Sequence, residues 1–366
     1  MGRPSAEVRE LERALTMESI AYKGKLLSTG STTLNLACSG DLRGGFMTGH
    51  YYFFVGDSNS GKTFLGLTCL AEAAANPAFD DHRLIYDAVE GGALMDFERF
   101  FGKRMASRIE PPRVVDGQPV FSRTVEEMYD HLDDAYKDGR PFIYIEDSQD
   151  ALSSEAEIKK SEQLKRGRRK EKKSDDEEPT GSFGDGKAKV HSANIRRQMG
   201  RLEERDSILL ILNQTRDSFS MFEKSSYSGG KALKFYATLQ LWSKVAGQIT
   251  KTVRGRPRQL GINAKVQVKK NRMTGRDRSV VVPIYHSVGI DDIGGCIDYL
   301  LAEKAWSKRG QTIVAKNIGP VIEGSREKLV HEIERRDLEE DIRELVGEVW
   351  AEIEEACEVE RKPRYE

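Results

Sequence analysis

The amino-acid sequence predicts an α/β fold in which helices cover both faces of a twisted, mainly parallel sheet. Short apolar runs alternate along the chain with helical patterns such as residues 124–137, and this alternation is typical of a parallel sheet. The last strand candidates are joined by short connections, which favours an antiparallel edge. The predicted strands comprise residues 51–56, 83–87, 142–146, 207–213, 236–242, 264–269 and 279–285.

Composition limits the class of protein. The chain has 366 residues, enough for one large domain with attachments or for two domains. Its net charge of −1 means that a nucleic acid would have to bind local basic patches. There is no run of 18 apolar residues, no signal-peptide pattern at the N-terminus, and no metal-spaced or disulfide-like arrangement of the four cysteines. We therefore expect a cytoplasmic protein with no membrane partner.

The two ends of the chain differ from its centre. Residues 5–17 predict a short amphipathic helix, which must pack on its own chain or on a neighbouring subunit. Near the other end, a long acidic helix is predicted around residues 325–357. Its apolar stripe comprises Leu338, Ile342, Leu345, Val349 and Ile353. We divide the chain into residues 1–24, a core of residues 25–290, and a small α-rich C-terminal domain of residues 291–366.

Residues 153–188 interrupt the alternation of strands and helices. This segment is nearly free of apolar residues, basic in its first part and acidic from Asp175 to Glu178. Such a composition cannot bury enough apolar surface to offset the entropy of ordering, so we expect a mobile charged insertion. Its basic part could bind DNA phosphates, or it could be a solvated segment that the acidic part masks.

The strongest motif matches G-x-x-x-x-G-K-[ST] in full and lies between a predicted strand and a predicted helix. It comprises Gly56, Asp57, Ser58, Asn59, Ser60, Gly61, Lys62 and Thr63. Glycines allow the backbone to wrap a phosphate, and the amides at a helix N-terminus point positive dipoles at it. This pattern predicts an ATP site in which Lys62 reaches the β- and γ-phosphates and Thr63 binds Mg²⁺.

Acidic residues follow two of the predicted strands. Asp147 ends the strand at 142–146, where a second ligand for Mg²⁺ is expected. Hydrolysis also needs a group that positions the attacking water. Glu90, shortly after the strand at 83–87, is the first candidate, and Asp87 is the second.

Four further segments resemble the RecA family of homologous-recombination strand-exchange ATPases, in the same order along the chain. These segments are residues 28–31 (STGS), 212–214 (LNQ), 229–237 (GGKALKFYA) and 268–272 (VKKNR). The resemblance covers roughly residues 25–290, and the segment at 229–237 is far more specific than the phosphate-binding motif. It implies a RecA-like P-loop NTPase core, with an N-terminal helix that docks on the next subunit of a homo-oligomeric helical filament.

The resemblance also implies roles for particular side chains. Gln214 would sense the γ-phosphate and relay its state to the following loop. Lys270 and Arg272 would reach the ATP of a neighbouring subunit and stabilise charge that develops during phosphoryl transfer. The resemblance thus implies a DNA-dependent ATPase with ATP and Mg²⁺ as cofactors.

Two loops would contact DNA in such a protein. The second loop combines cations with aromatic and apolar side chains, a pattern that suits single-stranded nucleic acid, and it ends in a glycine hinge. Its candidate DNA-binding residues are Arg216, Phe219, Met221, Phe222, Lys224, Gly229 and Gly230. In the first loop, Lys189 and Arg196 fall at DNA-facing positions, and the charged insertion enlarges this loop relative to the family pattern.

Our leading hypothesis is a recombinase that polymerises on single-stranded DNA, tests double-stranded DNA for complementarity and exchanges strands. A ring-shaped helicase or motor with the same core is an alternative, and a recombination mediator that binds nucleotide as a switch is another. The acidic segment D-A-V-E-G-G and the loop interior D-S-N-S depart from the family pattern. These departures suggest a divergent member; in a phage-encoded one, the location would be the host cytoplasm.

Overall fold

The fold is taken from a computed structural model of the 366-residue chain. The structure describes residues 24–90, 95–110, 113–115, 118–170, 185–217, 225–227 and 230–361. The helix predicted at residues 5–17 lies outside these ranges, so its docking role stays a prediction. Among the described residues, no helix is both long and apolar enough to cross a membrane.

Nine strands form the main sheet of the described chain, in the order β13-β12-β11-β10-β3-β8-β7-β4, with β9 paired to β8. Strands β10, β3, β8, β7 and β4 run parallel, and β10 to β13 form an antiparallel edge. The nine strands are β3 (His50–Gly56), β4 (Arg83–Ala88), β7 (Phe142–Asp147), β8 (Ile208–Asp217), β9 (Ser225–Tyr227), β10 (Leu239–Val253), β11 (Arg256–Asn271), β12 (Arg278–Tyr285) and β13 (Gly289–Ile290). Three small sheets comprise β1 (Leu26–Leu27) with β2 (Phe46–Met47), β5 (Arg113–Val115) with β6 (Gln118–Val120), and β14 (Ser307–Arg309) with β15 (Thr312–Ala315) and β16 (Ile322–Gly324).

Helices cover both faces of the main sheet, as predicted. The described helices are α1 (Thr32–Ser39), α2 (Lys62–Ala75), α3 (Phe97–Arg108), α4 (Val125–Ala135), α5 (Glu155–Lys170), α6 (Asp185–Glu204), α7 (Lys231–Tyr236), α8 (Asp292–Ala302), α9 (Arg326–Arg335) and α10 (Glu339–Ala356). Helix α4 begins with a capping box between Thr124 and Glu127, in which side chains satisfy amides that the first helical turn leaves free.

Strand β3 shows why the central strands are apolar without alternation. Its side chains at Tyr52 and Phe54 pack in the core on the α2 face, whereas those at Tyr51, Phe53 and Val55 pack on the α4 and α6 face. Successive side chains of a strand point to opposite faces, so a strand covered on both faces is apolar throughout. The predicted α/β fold class is confirmed.

The register of the parallel strands gathers their carboxyl ends at one edge. Gly56 lies opposite Gln214 on β8 and opposite Ser243 on β10, and Ala88 of β4 lies opposite Asp147 of β7. Ligands of open α/β sheets bind outside the carboxyl ends of the strands. The sheet therefore brings the predicted site residues of three separate segments to the same edge.

The antiparallel edge differs most from the prediction. The strand expected at 236–242 begins only at Leu239, because residues 231–236 form α7. The strand expected at 264–269 is part of β11, and β10 and β11 form a hairpin of 15 and 16 residues. Its outer residues are exposed on both faces, so they lack the apolar pattern from which strands are predicted.

Two further differences lie outside the sheet. The prediction of a single acidic helix around residues 325–357 is wrong. The segment forms two separate helices, α9 and α10, and Asp337 between them has a φ of 55°. They pack with α8 and a three-stranded sheet around a separate core, which α1 joins through Leu36. Within the charged insertion, residues 155–170 form α5 and residue 185 begins α6. The mobility of this segment stays a prediction.

Candidate nucleotide-binding site

The loop between β3 and α2 has two positions that only glycine fits. Gly61 has a φ of 84°, and a Cβ there would lie 2.6 Å from Cδ1 of Ile284. A Cβ on Gly56 would overlap the hydroxyl oxygen of Ser243. These glycines let the backbone turn tightly into α2, whose N-terminal amides are suited to an anion.

Lys62 is folded against its own loop. Its Nζ donates hydrogen bonds to the carbonyl oxygens of Gly56 and Asp57, at 2.8 and 2.7 Å. Burial lowers the pKa of the ammonium group, and the nearby carboxylates of Asp147 and Asp57 oppose that shift. The ammonium therefore lies at the centre of the loop, within reach of any anion that the loop holds.

Asp147 lies beside Thr63 and is almost fully buried. The Tyr86 hydroxyl donates to Oδ2 of Asp147 at 2.9 Å, and Thr63 also hydrogen-bonds to this carboxyl. Burial raises the pKa of Asp147 above its ordinary value, whereas these hydrogen bonds lower it in part. A buried carboxylate beside a hydroxyl group offers the hard oxygen atoms that Mg²⁺ prefers.

Glu90 contacts the ends of two other strands. Its Oε1 accepts hydrogen bonds from Nε2 of Gln214 at 2.7 Å and from the hydroxyl of Ser148 at 2.5 Å. The sequence motifs indicated Glu90 and Gln214 separately, and the sheet brings them into contact. Ser148 was not predicted, although it directly follows Asp147.

Asp87 lies in different surroundings from Glu90. Its carboxylate accepts hydrogen bonds from the backbone amide of Ser122 and the hydroxyl of Tyr144, at 3.0 and 2.8 Å. Burial raises the pKa of Asp87, but hydrogen bonds from His131, Ser122 and Tyr144 outweigh that effect and hold it below its ordinary value. The Asp87 carboxylate is already hydrogen-bonded to these groups. Glu90 is therefore the better of the two candidates for positioning the attacking water.

A cavity of about 710 Å³ lies over this edge of the sheet. From the phosphate-binding motif it is lined by Ser58, Asn59, Ser60, Gly61, Lys62 and Thr63. From the other predicted positions it is lined by Glu90, Asp147 and Gln214. Gly56 and Asp57 do not line the cavity, and their carbonyl oxygens accept the hydrogen bonds from Lys62. One cavity thus collects nearly all of the predicted nucleotide-site residues.

Sequence reasoning missed several residues that line the same cavity. Phe100 of α3 lies at its rim, where its ring contacts Phe64 edge-on at 5.8 Å and Arg99 lies 5.2 Å from its centre. Further lining residues are Met95, Gln259, Ile262, Ile284, Tyr285 and His286. An aromatic residue in the helix after the acidic segment was a signal that could have identified Phe100.

Lys270 and Arg272 lie away from this cavity. Nζ of Lys270 donates to the carbonyl oxygens of Lys234 and Phe235, at 2.9 and 2.7 Å, and Arg272 also donates to that of Phe235. Burial, followed by the charges of Arg272 and Lys234, lowers the pKa of Lys270 to about 8. The two cations therefore cap the end of α7, beside the Phe235 side chain, which is 64% exposed.

The described candidates for DNA contact lie at three places in the fold. Lys189 and Arg196 are exposed on α6, and their spacing of seven residues places them on the same helical face. The backbone of Arg216 belongs to β8, and Gly230 precedes α7 with a φ of 78°. The other predicted positions, Phe219, Met221, Phe222, Lys224 and Gly229, lie outside the described residues.

The fold and this loop define the class: an α/β protein whose core carries a P-loop. A family model described as the RecA N-terminal domain matches residues 174–291. Protein RecA of Cytophaga hutchinsonii is 28% identical over 283 residues, which cover 75% of this chain and 67% of that protein. Protein RecA of Chlorobaculum parvum is 27% identical over 291 residues, covering 77% and 71%. That of Gluconacetobacter polyoxogenes is 26% identical over 360 residues, covering 93% and 90%. These matches make the chain similar to RecA proteins over most of its length, and they support a divergent relative of that family.

Proposed function

We propose that the chain is an ATP-dependent DNA recombinase that forms filaments on single-stranded DNA and catalyses homologous pairing and strand exchange. The observation that carries this proposal is a pair of hydrogen bonds between the nucleotide site and β8. Gln214 contacts Glu90, and Oγ1 of Thr215 donates to Oδ1 of Asp57 at 2.5 Å. The loop that would hold ATP is thereby joined to the base of the segment that would hold DNA.

The proposed site uses its own residues to bind and orient ATP. The α2 amides and Lys62 would bind the phosphates. Thr63 and Asp147 would hold Mg²⁺, and their adjoining oxygens fit that ion. When bound, Mg²⁺ would neutralise charge on the β- and γ-phosphates. Glu90, fixed by two hydrogen bonds, would orient the water that attacks the γ-phosphate, giving ADP and phosphate.

Phe100 is the proposed platform for the base of the nucleotide. It is a half-buried aromatic ring at the rim of the cavity, held against Phe64. An aromatic face stacks on a nucleobase with little dependence on the base, by about 1–3 kcal/mol. The base would therefore lie toward α3, while the phosphates lie against the P-loop.

Lys270 and Arg272 are proposed to act on the nucleotide of a neighbouring subunit. They lie outside the cavity of their own chain, on a surface with the exposed Phe235. Two cations beside phosphates would stabilise the charge that develops in phosphoryl transfer. ATP would then strengthen the contact between subunits, and its hydrolysis would weaken that contact and release DNA.

DNA is proposed to lie along α6 and the segment that follows β8. Lys189 and Arg196 would contact phosphates, as would Arg216 and Lys224, and the aromatic residues of that segment would meet bases. These contacts are independent of sequence, so base pairing between strands would supply the specificity. Gln214 would relay the presence of the γ-phosphate to this segment.

The test is whether the bound nucleotide controls the affinity for single-stranded DNA. We expect tight binding with ATP or a non-hydrolysable analogue, and weak binding with ADP or without nucleotide. Equal affinity in all three conditions would overturn the proposal. In Lys62→Ala, both ATP binding and filament formation should be weakened, so intact filaments would contradict assembly through ATP.

Electron microscopy and strand exchange separate the proposal from its alternatives. Helical filaments on single-stranded DNA are expected, whereas closed rings would indicate a motor. Negligible DNA-stimulated turnover of ATP would indicate a nucleotide-switched mediator. A strand-exchange assay with a homologous duplex should give product that a heterologous duplex does not.

A further inference from the structure

The side chain of Asp87 ties the end of an edge strand to two other elements. Strand β4 lies at one edge of the main sheet, where β7 is the only strand paired with it among the described residues. The Asp87 carboxylate accepts hydrogen bonds from the amide of Ser122 at 3.0 Å and from its hydroxyl at 2.5 Å. It accepts another from the hydroxyl of Tyr144 on β7 at 2.8 Å. Because Ser122 lies between β6 and α4, Asp87 joins β4 both to β7 and to the segment that leads into α4.

A histidine of α4 fixes the direction of these hydrogen bonds. The Ser122 hydroxyl has one proton, which it donates to Asp87. Nδ1 of His131 lies 2.9 Å from the same hydroxyl oxygen, so this nitrogen carries a proton and donates it to Ser122. The network therefore runs in one direction, from His131 through Ser122 to Asp87. A buried polar network with its donors and acceptors satisfied holds one geometry.

Stability alone does not account for this network. Asp87, Ser122 and Tyr144 are each no more than 5% exposed, and burying polar groups costs free energy that their hydrogen bonds offset. Asp87 also lies opposite Glu146 in the register of β4 and β7, so two buried carboxyl groups are neighbours across these strands. An apolar side chain at position 87 would avoid both costs. What the network supplies instead is a fixed position for the end of β4.

The placement of Glu90 depends on that position. Glu90 follows Asp87 by three residues, and three residues of chain span at most about 11 Å. Within this stretch, the amide of Val89 donates to the carbonyl oxygen of Asp87 at 3.1 Å. The amide of Glu90 donates to the carbonyl oxygen of Asp147 at 3.4 Å. A shift at the end of β4 would therefore move the Glu90 carboxylate relative to Asp147.

We propose that Asp87, Ser122 and Tyr144 are positioning residues for ATP hydrolysis, which hold the end of β4 so that Glu90 is aimed at the attacking water. This inference rests on the proposed function, in which Glu90 orients that water. None of the three residues lines the nucleotide cavity. They act through Glu90 and leave the binding of ATP to the P-loop. A misplacement of about 1 Å in a catalytic group can lower the rate by about 100-fold.

The experiment measures kcat and KM for ATP of the full-length chain with single-stranded DNA, beside equilibrium binding of a fluorescent nucleotide. Ser122→Ala and Tyr144→Phe each remove one hydrogen bond to Asp87 and leave its other donors in place. In each variant kcat should fall by about tenfold or more, whereas KM and nucleotide affinity should stay within about twofold. Tyr136→Phe is the matched control, because this buried hydroxyl has no hydrogen-bond partner among the described residues. Its kcat should be unchanged.

The same substitution in a Glu90→Gln background separates positioning from a structural role. If the network acts through Glu90, adding Ser122→Ala should lower the residual kcat by less than about twofold, because coupled residues are not additive. A further loss as large as the one in the unmodified chain would overturn the proposal. Unchanged kcat in both single variants would also overturn it. So would equal losses of kcat and nucleotide affinity, because those would indicate damage to the whole site.

Failure of this inference is distinct from failure of the proposed function. Turnover that depends on Glu90 but not on Ser122 and Tyr144 would overturn the positioning role alone. Turnover that survives in Glu90→Gln, or a chain with no DNA-stimulated turnover, would overturn the proposed role of Glu90 and this inference with it.

Discussion

Gln214 donates a hydrogen bond from Nε2 to Oε1 of Glu90 at 2.7 Å, and the hydroxyl of Ser148 donates to the same oxygen. Gln214 lies within β8, whereas Glu90 follows β4 and Ser148 follows β7. A carboxylate held by two donors has a defined orientation, which a group that positions water requires. This contact also joins Glu90 to β8, the strand that leads to the predicted DNA-binding segment. A movement of the Glu90 side chain would therefore act directly on that strand.

Glu90→Gln is expected to lower DNA-stimulated ATP turnover by about 100-fold or more, because loss of a general base costs about 10² to 10⁴ in rate. Nucleotide affinity should change little, since the P-loop and Lys62 remain. The measurement is steady-state phosphate release beside equilibrium binding of a fluorescent nucleotide. Glu98→Gln is the matched control, because Glu98 is exposed on α3. Turnover that survives in Glu90→Gln would show that another group positions the water.

Phe100→Ala is expected to weaken ATP binding by about 5- to 150-fold, since stacking on an aromatic ring contributes about 1–3 kcal/mol per base. Inorganic tripolyphosphate has no base, so its affinity should be unchanged. Competition of each compound against a labelled nucleotide measures both affinities. If Phe100→Ala lost affinity equally for ATP and for tripolyphosphate, the substitution would be acting on the phosphate-binding loop and not on stacking with the base.

The P-loop and the central strands were predictable because their signals are local. The motif fixes glycines, lysine and threonine within eight residues, and β3 is apolar on both faces. Glu90 and Gln214 could be named from their segments, but their contact depends on the strand order of the sheet. Phe100 and Ser148 belong to none of the motifs, and their place at the cavity depends on the fold.

The exposed and irregular parts were harder to predict. The outer hairpin has no buried face, so nothing in its apolar pattern marks it as strand. Asp337 has a left-handed backbone between α9 and α10, and a helical apolar stripe that spans it gave no sign of the break. In both cases the structure depends on backbone pairing or backbone conformation rather than on the pattern of buried side chains.

Glu146→Gln is expected to stabilise the protein at neutral and alkaline pH. Glu146 is fully buried, and its carboxylate oxygens have no hydrogen-bond partner among the described residues. Burial, followed by the charges of Asp87 and Asp147, raises its pKa well above the ordinary value. The folded state therefore binds this proton to a higher pH than the unfolded chain does. Folding thus loses stability as the pH rises above the ordinary glutamate range.

The amide introduced by Glu146→Gln has no charge to bury, so its stabilising effect should be about 1.4 kcal/mol or more at pH 8, since one pKa unit corresponds to about 1.4 kcal/mol, and it should shrink as the pH falls. Denaturant unfolding at several pH values measures it. Glu348→Gln is the control, since that residue lies on the surface of α10, and its effect should stay within about 0.5 kcal/mol. A gain from Glu146→Gln that is the same at every pH would contradict the role of the buried charge.

Gly61→Ala is expected to destabilise the fold, whereas Gly200→Ala is expected to stabilise it. Gly61 has a left-handed backbone and no room for a Cβ, and an L-residue there costs about 1–2 kcal/mol before any clash with Ile284. Gly200 lies in α6 with open space around it, so alanine should gain about 0.5–1 kcal/mol. Denaturant midpoints of the two variants measure the difference. Equal effects at the two positions would contradict the described backbone of the loop.

Lys270 is expected to react with an acylating reagent faster than an ordinary exposed lysine at pH 8. Only the neutral amine is nucleophilic, and a pKa of about 8 leaves roughly half of the Lys270 side chains neutral at that pH. Ordinary lysines, with a pKa of roughly 10.4, are less than about 1% neutral there. Mass spectrometry after brief labelling of the DNA-free chain measures the rates, with the exposed Lys308 of β14 as the internal reference.

Assembly with ATP and single-stranded DNA should reverse this preference. If Lys270 meets the phosphates of a neighbouring subunit, their negative charge favours the ammonium form and raises its pKa, while the interface excludes the reagent. Labelling of Lys270 should then fall, whereas that of Lys308 should stay the same. Labelling of Lys270 that is unaffected by assembly would place it outside the subunit interface, because neither its charge nor its access to solvent would have changed.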